Sequence, residues 1–401
     1  MTQLATPALR SPGMRRQRVL VAILVYNGRE FVPACLQSAA GLQAGGRHVD
    51  VLVLDDCSPD EAWSRDLAGL CAGLGTGYYR SPRNLGIPRN MNLALLRALH
   101  GGYDHVMLVN SDVVLPINLL DGMLGAAGSG PDIGSVTAWS NNVSVFSLPN
   151  HDQTGTLVRQ DVVDWVSLQL ADQFGPVAAD LPTGVGYCLL LPVPVVAEVG
   201  LMDPVYGRGY CEEVDWCQRS RARGYRAVLA PSTFVFHHGG RSTTDAGLVS
   251  GLQRTVAEHE RIVDQRHPGY RRDVEDFLAA DPLAPLVARA LWVLVIGAAQ
   301  RWGYAVEARR LPGGPAEPAD AEIVHAVVDP DRPGTVTADY RGFRLALPVD
   351  GGDVATTLRH HFGGPPLRVS VFDRGPLAMD WAAGFGAAVP ALDRYGYPER
   401  V

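Results

Sequence analysis

Five short stretches of this sequence hold side chains whose types and spacing could do chemistry. Asn110-Ser111-Asp112 ends an apolar run, DHVMLVN, and a carboxylate at a strand end can hold a hard divalent cation that bridges and neutralises a diphosphate. Capping of the following turn is the alternative for Asp112. Asp55 and Asp56 close a second run, VDVLVLDD. Two adjacent carboxylates repel unless donors or positive charge lie close, which a nucleobase imide N–H and ribose hydroxyls would supply. An Asx turn with Ser58 would also explain them. In SPRNLGIPRN (81–90), Arg83 and Arg89 flank Asn84-Leu85-Gly86. A glycine permits close backbone approach, and a helix N-terminus beside an arginine favours phosphate. Glu212, Glu213 and Asp215 crowd the first turn of a helix, where the dipole stabilises them, and a carboxylate facing a cleft there could take a proton from an attacking hydroxyl. Tyr210 and Trp216 could stack on sugar or belong to the core. His237-His238-Gly239-Gly240 follows an apolar run, and a neutral imidazole there could ligate manganese or stay structural.

The elements that must position these residues alternate regularly from Arg18. VLVAILVYN (19–27) is a continuous β-branched run, as expected for a strand buried on both faces. A helix over 30–44, a strand over 49–56, a short strand over 76–81, a helix over 88–99 and a strand over 104–110 follow, with Asp60 or Ser58 as a helix cap. Asn92, Leu95, Leu96 and Leu99 share helical spacing. Strands joined by helices of this length imply a parallel, doubly wound α/β sheet whose ligands bind beyond the carboxyl ends of the strands. Both Asp55-Asp56 and Asn110-Ser111-Asp112 fall at such ends.

Beyond about residue 130 the alternation breaks down. Residues 161–170 fit strand or helix, 181–192 a turn into a buried strand, 193–199 and 211–223 helices, 226–240 a strand and 244–266 a helix. From about 281 the texture changes: a Pro-Gly-rich connector (311–320) and partial strand alternation over 335–347 imply a smaller C-terminal α+β region. The expected organisation is a tail (1–17), a main domain over 18–270 with halves divided near 115, and the C-terminal region.

Composition narrows the function. At 401 residues, 47% hydrophobic and 19% charged, the chain can bury large cores, and its net charge of −7 argues against nucleic acid as a partner. Six cysteines match no zinc knuckle and read as reduced thiols. The first 18 residues contain no apolar run suited to a signal sequence, so a cytoplasmic location is expected. Leu283 to Ala299 is near the lower length limit for crossing a bilayer and is interrupted by Pro285 and Arg289, which favours a buried or interfacial helix and leaves a peripheral membrane contact open.

Taken in order, ILVYN, VLDDCSPD, RNLGIPRNMN, MLVNSDVVL, LPTGVGYCLLL, the VGLMDPVYGRGYCEEVDWCQRSRARGY block and FVFHHGGRST resemble family 2 glycosyltransferases of the GT-A fold, nearest the bacterial rhamnosyltransferase-like branch. The resemblance spans about residues 19–243. It implies an inverting transfer of a sugar from a nucleotide-diphosphate donor, dTDP- or UDP-linked, to a hydroxyl of a glycan, lipid-linked or small-molecule acceptor, with Mn2+ or Mg2+. Tyr26, Asn27, Asp55 or Asp56, Asn84, Gly86, Arg89, Asn110 and Ser111 would line the nucleotide. Asp112 and His237 would contact the metal; the family's aspartate-x-aspartate motif begins here with Asn110, which leaves one carboxylate. Glu213 matches the catalytic base, with Glu212 and Asp215 as rivals, while Thr183, Gly184 and Trp216 would face donor and acceptor sugar. A homodimer is compatible with the C-terminal region. Two rivals are a transferase relic that binds carbohydrate or acts as a scaffold, and a sugar-nucleotide pyrophosphorylase. The second is disfavoured because YNGREF lacks a glycine-rich basic loop after the first strand.

Overall fold

The computed structural model describes residues 16–143, 145–149, 157–239, 249–308, 322–329, 334–349, 353–371 and 384–385. Strands β1 (Arg18–Val25), β2 (His48–Asp55), β3 (Gly77–Arg80) and β4 (His105–Asn110) alternate with helices α1 (Val32–Ala40), α2 (Glu61–Gly73) and α3 (Ile87–Gly101). These four strands are parallel, in the order β3-β2-β1-β4. From Val19 onward every residue of β1 is buried, because helices cover both faces and each side chain meets a core. Asp60 caps α2 by accepting from the N–H groups of Ala62 and Trp63. On α3 the buried face is Met91, Asn92, Ala94, Leu95 and Ala98; Leu96, expected to share it, is exposed.

The loss of alternation past residue 130 has a topological cause. β5 (Val113–Val114), α4 (Leu119–Ala127), β6 (Ile133–Ser140), α5 (Gln160–Phe174), β7 (Ala179–Leu181), β8 (Cys188–Pro192), α6 (Val193–Val199), α7 (Glu212–Arg221) and β9 (Arg226–His237) follow in order. β8 inserts antiparallel between β4 and β6, while β9 runs parallel to β6 and antiparallel to the short strands β5 and β7. The stretch 161–170, ambiguous in sequence, is helical because one face (Val162, Val163, Val166, Leu170) packs under β9. The result is the expected α/β class: a mostly parallel sheet flanked by helices.

The remainder comprises α8 (Val249–Arg266), α9 (Tyr270–Ala280), α10 (Ala284–Trp302), β10 (Tyr304–Ala308), β11 (Val324–Val328), β12 (Thr335–Tyr340), β13 (Phe343–Pro348), α11 (Val354–Phe362) and β14 (Arg368–Val371). A second sheet has the order β13-β12-β11-β10-β14. The 335–347 stretch is two strands, not one, because Arg341 and Gly342 both take positive φ and close a tight hairpin between them. The connector 311–320 and the tail 1–15 lie outside the described residues. α10 is long and apolar enough to cross a membrane by length and composition. Its inner face, with Ala290, Leu294, Val295 and Ala298, joins a core cluster shared by both sheets, while Trp292 and Arg289 face outward. Trp165 of α5 sits edge-on to Trp302 and Tyr340, at 4.6 and 5.6 Å between ring centres, so the C-terminal unit is packed directly on the first. All six cysteines are free thiols.

Candidate active site

Strand register decides which of the candidate residues meet. Leu24 lies opposite Asn110 and Val25 opposite Asp55, so Tyr26, Asp56 and Ser111 leave the sheet at one edge, beyond the carboxyl ends. β9 brings His237 opposite Val113, beside Asp112. A cavity of about 270 Å³ opens there. Tyr26, Asp56, Asn84, Gly86, Asn110, Ser111, Asp112, Glu212, Glu213 and His237 all line it, although they come from segments spread over more than 200 residues.

On one wall Asp56 is clamped by backbone donors. Leu85 N–H donates to its Oδ1 at 2.7 Å and Gly86 N–H to its Oδ2 at 2.9 Å. Burial, the largest influence, still leaves this carboxyl titrating above its ordinary range. Gly86 has φ +81°, and a Cβ there would lie 2.0 Å from the Gly207 carbonyl oxygen. Only glycine lets these two loops meet. Asp55 is the contrary case. It is fully buried and accepts from Ser58 N–H and Oγ, Ser64 Oγ and Tyr78 Oη, with Arg80 3.5 Å away. Of the two aspartates, Asp56 faces the cavity and Asp55 holds the strand end together.

Asp112 and His237 form the second wall. The imidazole Nδ1 lies 3.1 Å from the Asn142 carbonyl, which can only accept, so Nδ1 carries the proton. Nε2 then presents a lone pair to Asp112 Oδ1 at 3.4 Å. That oxygen is buried and has no hydrogen-bond partner. Two acceptors face one another, and a proton or a cation between them would resolve the conflict. Burial pushes the Asp112 carboxyl up, and His237 outweighs this and holds it below the ordinary range only when Nε2 also carries a proton. Tyr187 stacks on the ring at 5.2 Å and 19°, fixing its plane. Among the described residues no group of three or more His, Cys, Asp or Glu side chains gathers as a ready metal cage. The pair could supply two ligands to a hard divalent ion, whose remaining ligands would have to come from elsewhere.

The third wall is the start of α7. Tyr210 and Cys211 both have φ +74°, an uncommon conformation for side chains of their size, after Gly207 and Gly209, which are also at positive φ. This loop turns Glu212 and Glu213 toward the cavity. Glu212 is 4% exposed, and Oε2 of each glutamate is buried without a partner. Burial first, then the neighbouring Glu213, raises the Glu212 carboxyl far above its usual range; burial also raises Glu213.

Several expected residues lie elsewhere. Asp215 is fully buried and bonded to Arg219, Arg266 and His267. Trp216 is a fully buried core residue whose Nε1–H donates to Gly200 O, so it offers no face for stacking on sugar. Thr183 is buried and is not among the residues that line the cavity, and a Cβ on Gly184 would meet Leu189, Cys217 and Ser135 rather than open space. Arg89 is exposed and donates to Leu85 O. Asn27 N–H donates to Ser58 Oγ, tying two loops together. Arg208, Tyr187 and Asn142 were not singled out in sequence. Arg208 lines the cavity between Gly207 and Gly209; the other two carry no sequence signal. A separate cleft of about 520 Å³ lies at the amino ends of β1–β3. Arg18, His48, Asp50 and Tyr103 in it pair with one another.

Residues 20–177 match the family model described as Glycosyl transferase family 2. No curated protein sequence matches the chain significantly. Among solved structures it is similar to a mannosyltransferase, PcManGT, from Pyrobaculum calidifontis in complex with GDP-Man and Mn2+. That pair has 18% identity and a TM-score of 0.44 over 69% of this chain and 75% of that one. It is also similar to GalNAc-T7 with UDP, GalNAc and Mn2+, with 12% identity and a TM-score of 0.43 over 56% of this chain and 44% of that one. Likenesses this distant carry no detail of the site.

Proposed function

We propose that the chain is an inverting glycosyltransferase that takes a sugar from a dTDP- or UDP-linked donor to an acceptor hydroxyl. The observation that carries this reading is the single cavity in which Asp56, the Asp112–His237 pair and Glu213 converge. Asp56 and the Asn84–Gly86 loop meet base and ribose, with Asn110 and Ser111 alongside. Asp112 Oδ1 and His237 Nε2 would hold a divalent ion, Mn2+ or Mg2+, whose charge would stabilise a leaving diphosphate. Arg208 adds positive charge at the mouth.

Glu213 is the base. It accepts the proton of the acceptor hydroxyl as that oxygen attacks the anomeric carbon and the nucleoside diphosphate leaves from the opposite face, which inverts configuration. Burial suits it to this task, because a carboxylate with raised affinity for protons is a stronger base than one in water. Glu212 is its neighbour in the same turn. Asp215 is set aside as a base because Arg219, Arg266 and His267 already donate to its oxygens. A rhamnosyltransferase-like specificity, a cytoplasmic location and a homodimer belong to the same reading.

A thermal-shift screen of UDP, dTDP and GDP, with and without Mn2+, tests it. A metal-dependent rise with UDP or dTDP, reaching about 2.7 kcal/mol at a hundred times the dissociation constant, is the expected result. Folded protein that responds to none of the three would sink the reading.

A further inference from the structure

Asp215 sits on the same helical turn as Glu212 and Glu213, yet its side chain points away from the cavity into a closed clasp. Oδ2 accepts from Arg219 Nε at 2.8 Å. Oδ1 accepts from His267 Nε2 at 3.0 Å and from Arg266 at 3.3 Å. His267 and Arg266 lie at the carboxyl end of α8, some fifty residues on in the chain. Arg266 also binds Asp203 at 2.8 Å, at the foot of the loop that leads to Tyr210. Farther back on α8, His259 is 7% exposed, and its Nδ1 donates to the Gly209 carbonyl at 2.9 Å, since a carbonyl can only accept. Its ring stands edge-on to the buried Tyr206 at 5.5 Å. α8 therefore grips the loop at both ends: Gly209, one residue before the paired left-handed residues Tyr210 and Cys211, and Asp215, two residues after Glu213.

We propose that α8 is a brace for the reacting carboxylates, with His259 and His267 as positioning residues that act through Gly209 and Asp215. A loop with two consecutive non-glycine residues at φ +74° persists only where its surroundings over-determine it. The clasp supplies that constraint from an element none of whose described residues lines the cavity. The buried Asp215 is matched by three donors, whereas Glu212 Oε2 and Glu213 Oε2 have none, so the helix turn is anchored on one side and left available for chemistry on the other. Misplacing a reacting group by about 1 Å can cost on the order of a hundredfold in rate, which is the scale at which such a brace acts.

The kinetic arm rests on the proposed transferase reading; the structural arm does not. In full-length protein, amide hydrogen exchange at residues 209–214 is measured for native, His259→Ala, His267→Ala and His267→Gln, together with UDP–Mn2+ affinity and turnover of the sugar nucleotide selected by the nucleotide screen. Faster exchange at 209–214 is expected in both alanine variants. Their kcat should fall about tenfold to a hundredfold, with UDP–Mn2+ affinity held within about twofold. His267→Gln should recover most of the rate, because its amide N–H can reach Asp215. Unchanged exchange and kcat in both alanine variants would overturn the brace. So would equal losses of affinity and kcat that glutamine fails to rescue. Altered exchange in a protein whose native form turns over no sugar nucleotide would uphold the brace and remove the transferase reading instead.

Discussion

At the scale of single residues, the site is a set of acidic oxygens left unpaired in a buried place. Asp112 Oδ1, Glu212 Oε2 and Glu213 Oε2 each lack a partner, and such groups cost free energy unless a ligand completes them. Glu213→Gln keeps shape and removes basicity, so kcat should fall by about 10²–10⁴ while UDP affinity measured by calorimetry stays unchanged. Asp112→Asn should abolish the metal-dependent part of UDP binding, read as Mn2+ titrated against the nucleotide complex by electron paramagnetic resonance. Because burial raises the Glu213 carboxyl, the proposed base is lost at a higher pH than a carboxylate in water would be. The acid limb of the kcat/KM profile should therefore lie above about pH 4.3, and a limb at or below that value would contradict the assignment.

At the scale of elements, two loops and one helix turn create the cavity. Gly86 meets Gly207 so closely that Gly86→Ala must separate them. A cost of about 1–3 kcal/mol from the positive φ alone is expected, measured by urea unfolding, with a parallel loss of nucleotide affinity because Asp56 loses its clamp. The Asp215 clasp has a pH signature of its own. Burial would raise this carboxyl, but His267 and the two arginines hold it below the ordinary range. Its contribution is thus present above an unfolded value near about 3.9 and is lost as pH falls through the depressed folded value. Native protein should lose stability in that window more steeply than Asp215→Asn, and equal slopes in acid unfolding would rule the contribution out.

At the scale of the whole molecule, one core runs from the large sheet through α5 and α10 into the small one. Trp165 is 5% exposed and fills the join against Trp302 and Tyr340. Trp165→Ala should cost about 3–5 kcal/mol. Both sheets should unfold in one transition when followed by far-ultraviolet circular dichroism and by tryptophan fluorescence, because the shared apolar surface couples them. Two separated transitions would show independent units.

The sequence by itself determined the parallel half of the fold. Apolar runs at 19–25, 51–54 and 106–109 admit little but buried strands, and the aspartates that follow the second and third had to lie at strand ends. Local chemistry also marked Gly86, Asp112, Glu213 and His237 as candidates. It could not order β8 antiparallel between β4 and β6, since an apolar run reads alike in either direction. Nor could it divide adjacent acids by role. Asp55 and Asp56 differ only by the alternation of a strand end, and Glu213 and Asp215 by a rotation of about 200° around α7. The first pair is split by β-register, which turns Asp55 onto Ser58, Ser64 and Tyr78 and leaves Asp56 facing the cavity. The second is split by α8, which arrives from fifty residues away to neutralise Asp215. Pattern along a chain fixes which elements form; which carboxylate stays free for chemistry depends on what packs against it, and that is known only once the elements are assembled.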